Sequence, residues 1–433
     1  MRMIAHVDAR ENISGFSAER RDRKSGGAVI PMKDKLTVLA GTLPVKTKRA
    51  PFFEEKRIHF LATLAEHLRI RYADQPEVAA LAFWLRPSHI REVGKKYEER
   101  ALRRGQGLAF HLAPSNVPMM FVYSFALSFL AGNSNIVRLS ARSSAISFSV
   151  CETLQEIFSL PEFQELGKEN VFLTYERDDE ITGRFLEEAD LRILWGGDTT
   201  VTRFQSWPGK PGASQICFPN RNSLALLSQR AVSEMDEEEL CNFCRYFFND
   251  TFIMDQNACS SPRGVVWLKD GGNITIRERF WEGLAKIANE EYFPDAYRVA
   301  RKYETAALVL MDQEVGQGTG MRYYGKNALY VLAVSKPVQE SLIACLDFYP
   351  AFGIFFEWEI DSLDALASAV DHKVQTLTYL GPEPMKIAHA LIQSSCAGID
   401  RIVPVGQALQ MGFLWDGKDL LREMSRILAI GEE

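Results

Sequence analysis

Cysteine is scarce in this chain and odd in number. Seven cysteines scattered over 433 residues cannot make a disulfide framework, and a reducing, cytoplasmic compartment is the expectation. The N-terminal MRMIAHVDARENISGF has no apolar core of signal-peptide type. The most apolar run, 119–132, is broken by Tyr123, Ser124 and Ser128. It falls short of the about 20 apolar residues that span a bilayer, so no membrane span is expected. Neither sign of charge dominates: 50 Lys and Arg stand against 56 Asp and Glu, for a net charge of -6. That balance carries no global attraction for nucleic acid or anionic lipid. There is no GxGxxG, no Walker A sequence, no fixed-period repeat and no low-complexity segment. The seven histidines form no metal triad or Ser/His/Asp set of convincing spacing. Cys241 and Cys244 make a CxxC inside the amphipathic EEELCNFCRYFF, but no second pair or nearby His completes a zinc set.

What is present is a soluble globular balance, 46% hydrophobic and 24% charged, in a chain long enough for two or three domains. Residues 8–26 are polar with Gly and Ser, a flexible lead-in. Over 53–72, Phe60, Leu61, Leu64, Leu68 and Ile70 recur at helical spacing, and 78–85 has the same character. From 107 onward strands and helices alternate. Strands are expected over 107–112, 135–139, 171–174 and 191–195, with helices between them. After a crossover near Asn220, strands over 223–227 and 264–268 alternate with helices over 236–248 and 274–289. Such alternation predicts α/β architecture with parallel sheets covered by helices. The expected division is a lead-in over 1–45, one α/β unit over 46–222, a second over 223–395, and a C-terminal segment over 396–433 that packs back on the core or forms an oligomer interface.

Three segments carry chemistry. DQNACSSP (255–262) puts Cys259 in a polar loop of small residues between a helix and a strand, where a thiol of lowered pKa acts as a nucleophile. A buried, inert cysteine is the competing reading; Cys151, Cys345 and Cys396, in apolar or helical contexts, fit packing. In APSNVP (113–118), Asn116 follows a strand and precedes a helix. It is either a helix cap or an amide donor to an oxyanion. Gly196-Gly197-Asp198 follows an apolar strand and opens a helix. It is either a glycine turn capped by Asp198 or a phosphate approach, although a carboxylate there repels phosphate placed directly on it. His111 ends the strand just before the Asn116 turn.

Taken in order, these segments resemble the aldehyde dehydrogenase superfamily, and more closely its fatty-acyl-CoA reductase branch known from bacterial bioluminescence. APSNVP is similar to the superfamily segment whose Asn forms the oxyanion hole. GNSNIVR (132–138) is similar to the strand that carries a ribose-binding Lys. Residues 171–204 are similar to the strand, helix and turn that face the cofactor pyrophosphate, and DQNACSSP to the catalytic-cysteine loop. VQTL (374–377), GIDRIVP (398–404) and WDG (415–417) look like the reductase branch. The resemblance covers about 105–270 well, and 372–430 at branch level. It implies an aldehyde-dehydrogenase-like fold of two Rossmann-like domains with parallel sheets and the active site between them.

The resemblance implies Cys259 as nucleophile and Asn116 as oxyanion donor. It assigns Ala113, Ser115, Arg138, Ser140, Trp195, Gly197 and Asp198 to the cofactor. Three departures are informative. Arg138 replaces the usual Lys, and Ala141 stands where NAD-preferring members carry a Glu, so NADPH is expected over NADH. Cys217 occupies the position of the general-base Glu of aldehyde-oxidising members, which argues against hydrolysis of an acyl-enzyme. The implied activity is NADPH-dependent reduction of an acyl-CoA, or of a protein-bound acyl thioester, to an aldehyde through acyl-Cys259. An acyl-protein synthetase is an implied partner and a homo-oligomer the implied assembly. The rival readings are an acyltransferase that uses Cys259 without reduction, and a non-catalytic scaffold of an acyl-processing complex.

Overall fold

A computed structural model describes residues 35–97, 102–115, 117–271 and 274–431; the polar stretch 8–26 lies outside them. Two sheets organise the chain. The first half supplies β1 (Thr37–Gly41), β2 (Leu102–Gly105), β3 (Leu108–Leu112), β4 (Ser134–Ser140), β5 (Asn170–Tyr175), β6 (Leu191–Trp195) and β7 (Ser214–Phe218). The second supplies β8 (Asn222–Ser228), β9 (Pro262–Leu268), β10 (Thr319–Tyr324), β11 (Leu329–Val334), β12 (Ile354–Ile360), β13 (Val374–Leu380) and β14 (Arg401–Pro404). A short hairpin, β15 (Leu414–Trp415) and β16 (Lys418–Asp419), precedes the last strand, β17 (Ser425–Leu428).

The first sheet runs β1-β5-β4-β3-β6-β7. Its five strands from β5 to β7 are parallel, because a helical connection joins each to the next in sequence and returns the chain to the same edge. From β3 the chain winds outward through β4 and β5, then jumps back to place β6 on the other side of β3. The carboxyl ends of β3 and β6 therefore flank a topological switch point, the place where ligands bind in doubly wound sheets. Residues 37–41, read from sequence as part of the lead-in, instead add to β5 as an antiparallel edge strand. The second sheet runs β10-β11-β12-β9-β8-β13-β14 and is parallel except for the β10–β11 pair. The chain crosses from the first sheet to the second between Phe218 and Asn222.

The helix Met120–Leu130, MFVYSFALSFL, is buried on every side. That is what a helix without a polar face requires, and it explains the apolar run as core. Its Phe125 and Phe129 stack at 4.9 Å, against Phe60 of the helix Glu55–Arg71 and Phe172 of β5. In that outer helix Phe60, Leu61, Leu64 and Leu68 are buried as the spacing predicts, but Ile70 is 64% exposed: the last turn runs past the core. The C-terminal segment leaves the second sheet at β14 and returns to the first half. There Trp415, Leu420, Leu421 and Met424 join the core of the first unit, and β17 pairs with β2.

Candidate active site

A cleft of about 540 Å³ opens where the two sheets meet. The first sheet offers it the carboxyl ends of its strands: Ala113 and Ser115 after β3, Arg138 and Ser140 in β4, Trp195 at the end of β6 with Gly197 beyond it. The second sheet offers the opposite ends: Arg221 before β8, Cys259 in the loop before β9 and Arg263 at its start, Tyr349 before β12, and Gln375 at the start of β13. Trp415 and Asp416, in the β15–β16 hairpin, close one side. Six of the seven expected cofactor residues thus line one cavity with Cys259. Asp198 is not among the lining residues. It is the first residue of the helix Asp198–Gln205, whose cap is Gly197, and its carboxylate accepts the Asn220 N–H at 3.0 Å. Asn116 lies outside the described residues, between the lining residues Ser115 and Val117.

The loop bearing Cys259 is tightly held. Asp255 and Gln256 both adopt left-handed backbone, φ 52° and 60°, which is costly away from glycine. The buried Gln256 amide donates to the carbonyls of Pro262 (3.0 Å) and Ile354 (2.9 Å), and its oxygen accepts from Gly353 N–H (3.1 Å). Asp255 accepts from Tyr292 Oη (2.8 Å) and Arg298 Nε (2.9 Å). Ser223 Oγ donates to the Cys259 carbonyl at 2.7 Å. The Cys259 residue keeps partial exposure, but its thiol is packed against the first unit's core. Burial, and then the Asp416 carboxylate, push that thiol up to about 12. Arg263, the cysteine's own N–H and Arg401 act in the opposite direction.

At the other end of the cleft, a buried chain of hydrogen bonds sets Trp195. Its Nε1 donates to Ser124 Oγ (3.1 Å), which bonds His111 Nδ1 (2.8 Å). His111 Nε2 bonds Asn135 Oδ1 (3.0 Å), and Asn135 Nδ2 donates to Asn170 Oδ1 (2.7 Å). Because Asn135 presents its oxygen to the ring, His111 donates from Nε2 and accepts at Nδ1. Trp195 then stacks on Phe218 with ring centroids 3.6 Å apart. Arg138 donates to the Tyr175 carbonyl at 3.3 Å and lies 5.0 Å from the centre of that ring; burial lowers its pKa. Arg142 and Arg177 line the same end. The nearby carboxylates of Asp178 and Asp179 are engaged, the first with helix N–H groups and Lys35, the second with Arg203. Cys217 lies in β7, not among the lining residues, and burial raises its thiol pKa.

Several buried polar atoms of the lining residues have no hydrogen bond among the described residues: Arg138 Nε, Arg221 Nε, Arg263 Nε, Gln375 Oε1 and Trp415 Nε1. Such atoms are costly unless something meets them. Guanidinium groups at both ends, beside an unsubstituted Gly197 at a helix N-terminus, suit an anionic dinucleotide. Sequence reading missed Arg221, Arg263 and Tyr349. The last lies in 290–371, which the resemblance left without named residues.

Solved aldehyde dehydrogenases share this architecture. Aldehyde dehydrogenase 21 from Physcomitrella patens superposes with a TM-score of 0.61 at 12% identity, covering 86% of this chain and 85% of that one. Lactaldehyde dehydrogenase from Escherichia coli gives 0.60 at 14% identity, covering 87% and 86%. These likenesses establish the aldehyde-dehydrogenase fold. A long-chain acyl-protein thioester reductase of Aliivibrio fischeri is 23% identical over 178 residues, a stretch covering 40% of this chain and 34% of that protein. Residues 82–427 match the acyl-CoA reductase (LuxC) family, and with that match extending over most of its length the chain belongs to this family.

Proposed function

We propose that this protein reduces an acyl thioester to an aldehyde through an acyl-Cys259 intermediate, with NADPH as reductant. The observation that carries the reading is the cleft itself. One cavity is lined by a cysteine on a rigid loop and by the cationic, switch-point end of a doubly wound sheet. In the first half-reaction the Cys259 thiolate attacks the thioester carbon and the acyl group passes to Sγ. The departing thiol leaves as a thiolate and needs no strong acid. The oxyanion is met by the Cys259 N–H and, on the sequence argument, by the Asn116 amide; one such donor is worth about 2.7–4 kcal/mol in the barrier.

A nicotinamide cofactor, when bound, supplies the hydride that reduces the acyl carbon. Ala113, Ser115, Arg138, Ser140, Trp195 and Gly197 would hold it. Arg138, with Arg142 and Arg177 close by, favours the additional phosphate of NADPH. Cys217, at the position of the general-base Glu, has no means of activating water, which protects an acyl-enzyme from hydrolysis. The family match and the thioester reductase from Aliivibrio fischeri support a thioester substrate, presented on CoA or on a partner protein.

The test is oxidation of NADPH by purified protein with a panel of acyl-CoAs, wild type against Cys259→Ala. Oxidation that requires acyl-CoA and disappears in the variant is the expected result. An acyl adduct on Cys259 by mass spectrometry without oxidation would replace reductase with acyltransferase. Neither adduct nor oxidation would leave only a scaffold.

A further inference from the structure

Buried and half-buried arginines in this protein meet carboxylates or several backbone carbonyls, as the buried Arg192 does with those of Leu186, Trp207 and Pro208. Arg57 is paired with Glu169 at 2.7 Å, Arg277 and Arg322 with Glu357, and Arg221 reaches Asp416 at 3.8 Å. Arg401 instead donates to the three carbonyls of Gln407, Ala408 and Gln410. Arg263 has far less. It is only 7% exposed, donates once to Asn222 Oδ1 at 3.1 Å and lies 5.1 Å from the centre of the Tyr349 ring. Its Nε is buried without a hydrogen bond, and among the described residues no carboxylate comes within ion-pair distance of it. A guanidinium taken out of water is costly unless a counter-charge meets it. Arg263 lies four residues after Cys259 and lines the same cleft.

We propose that Arg263 is the counter-charge of the Cys259 thiolate, a positioning residue that favours ionisation of the nucleophile within a buried site. The inference rests on the reading of Cys259 as the nucleophile. Ionisation sends the Sγ proton to water in the open cleft; Arg263 stays protonated throughout, since burial brings its pKa down only to about 10. The groups whose charge or ionisation is felt at the sulfur are Arg263 from β9, Arg401 from β14, Asp416 from the β15–β16 hairpin, and Tyr123 from the central helix. Asp416 opposes the thiolate but is itself engaged by Gln375 and Arg221. Arg401 has its carbonyls. Arg263 is the cation with unmet capacity.

The test is alkylation of the full-length protein by iodoacetamide over a pH series, without acyl substrate or cofactor, read by peptide mass spectrometry. Exposed Cys241 is the internal reference in every sample. Arg263→Met should slow Cys259 relative to Cys241 by roughly tenfold or more at about pH 8, one unit of pKa being tenfold in thiolate, and should move the profile to higher pH. Arg263→Lys should recover part of the rate, and Asp416→Asn should move the profile to lower pH. Arg263→Gln, which removes the charge but retains a donor for Asn222, serves if the Met variant does not fold. A folded Met or Gln variant with the wild-type Cys259 profile overturns the proposal. Because no substrate is used, a failed reductase assay does not touch this result. Conversely, Cys259-dependent reduction with an unchanged alkylation profile would remove the counter-charge and leave the reductase reading standing.

Discussion

Replacing Arg138 should separate the two nicotinamide cofactors. Among the described residues its guanidinium makes one hydrogen bond, to the Tyr175 carbonyl, and leaves a buried Nε unmet beside the cleft. A phosphate placed there gains a charge-assisted hydrogen bond of about 1.5–3 kcal/mol, which is roughly 10- to 150-fold in Kd. Arg142 and Arg177 share the field, so the lower half of that range is expected. Arg138→Ala should therefore weaken NADPH by about 10- to 50-fold and leave NADH within about threefold, and Arg138→Glu should reverse the preference. Calorimetric titration of each cofactor at two salt concentrations is the assay. The NADPH preference of the wild type should shrink with salt, since the phosphate contact is partly screened. Equal losses for both cofactors in Arg138→Ala would refute the phosphate argument and assign the guanidinium to the ribose that both cofactors share. No loss for either would remove Arg138 from the cofactor site.

Two further predictions concern the buried polar groups. Glu357 accepts from Trp267 Nε1 (2.9 Å), Trp281 Nε1 (2.6 Å) and Arg322, with Arg277 at 3.7 Å. Glu357→Met strands two indole N–H groups and leaves Arg322 with Glu278 and Arg277 with Glu359 as their remaining carboxylates. Breaking the ion pair alone costs about 3–5 kcal/mol, so loss of folding of the second unit is expected in urea titrations followed by tryptophan fluorescence, and a variant within about 1 kcal/mol of wild type would contradict the account. Burial holds His111 neutral and pushes its pKa down to about 4, against an ordinary value of about 6.5. Between those values the unfolded chain takes up a proton that the folded one refuses, so stability is intact above about pH 6.5 and falls by up to roughly 3 kcal/mol as pH drops to about 4. His111→Gln should flatten that part of the pH dependence of the urea midpoint, and an unchanged slope would exclude His111 as its source.

The two α/β sheets were legible because buried parallel strands read as short apolar runs, LAFHL and LRILW among them, separated by helices with one apolar face. The edges were not. β10, TGMRYY, is largely exposed and lacks such a run, and β1 was lost in the polar lead-in. The expected site residues came from motifs in sequence order, and the cleft gathers most of them. Asp198 was read for its position after two glycines, but a first-turn carboxylate has a partner inside the protein, the Asn220 N–H. Arg221, Arg263, Tyr349 and Gln375 come together only because the second sheet turns the amino ends of its strands to the cleft, a juxtaposition without local periodicity. One signal was available: Arg263 stands in PRGVVWL, where every position but the last is buried, and an arginine inside a buried strand needs an explanation.

The site divides its hydrogen bonding in a telling way. The backbone of the Cys259 loop is over-determined: Gln256 makes three buried bonds across to β9, β12 and the turn before it, which offsets the about 1–3 kcal/mol that each left-handed non-glycine residue costs. The side chains around the cleft are under-determined, with donors and acceptors on Arg138, Arg263, Gln375 and Trp415 left unmet. A fold optimised for stability alone would reverse this, relaxing the loop and pairing the side chains. Holding the Cys259 backbone rigid while leaving the surrounding polar groups free to bind is instead what preorganisation for a ligand demands. The loop's strain is thus met within the protein, while the unmet groups on the cleft are left for a ligand to meet.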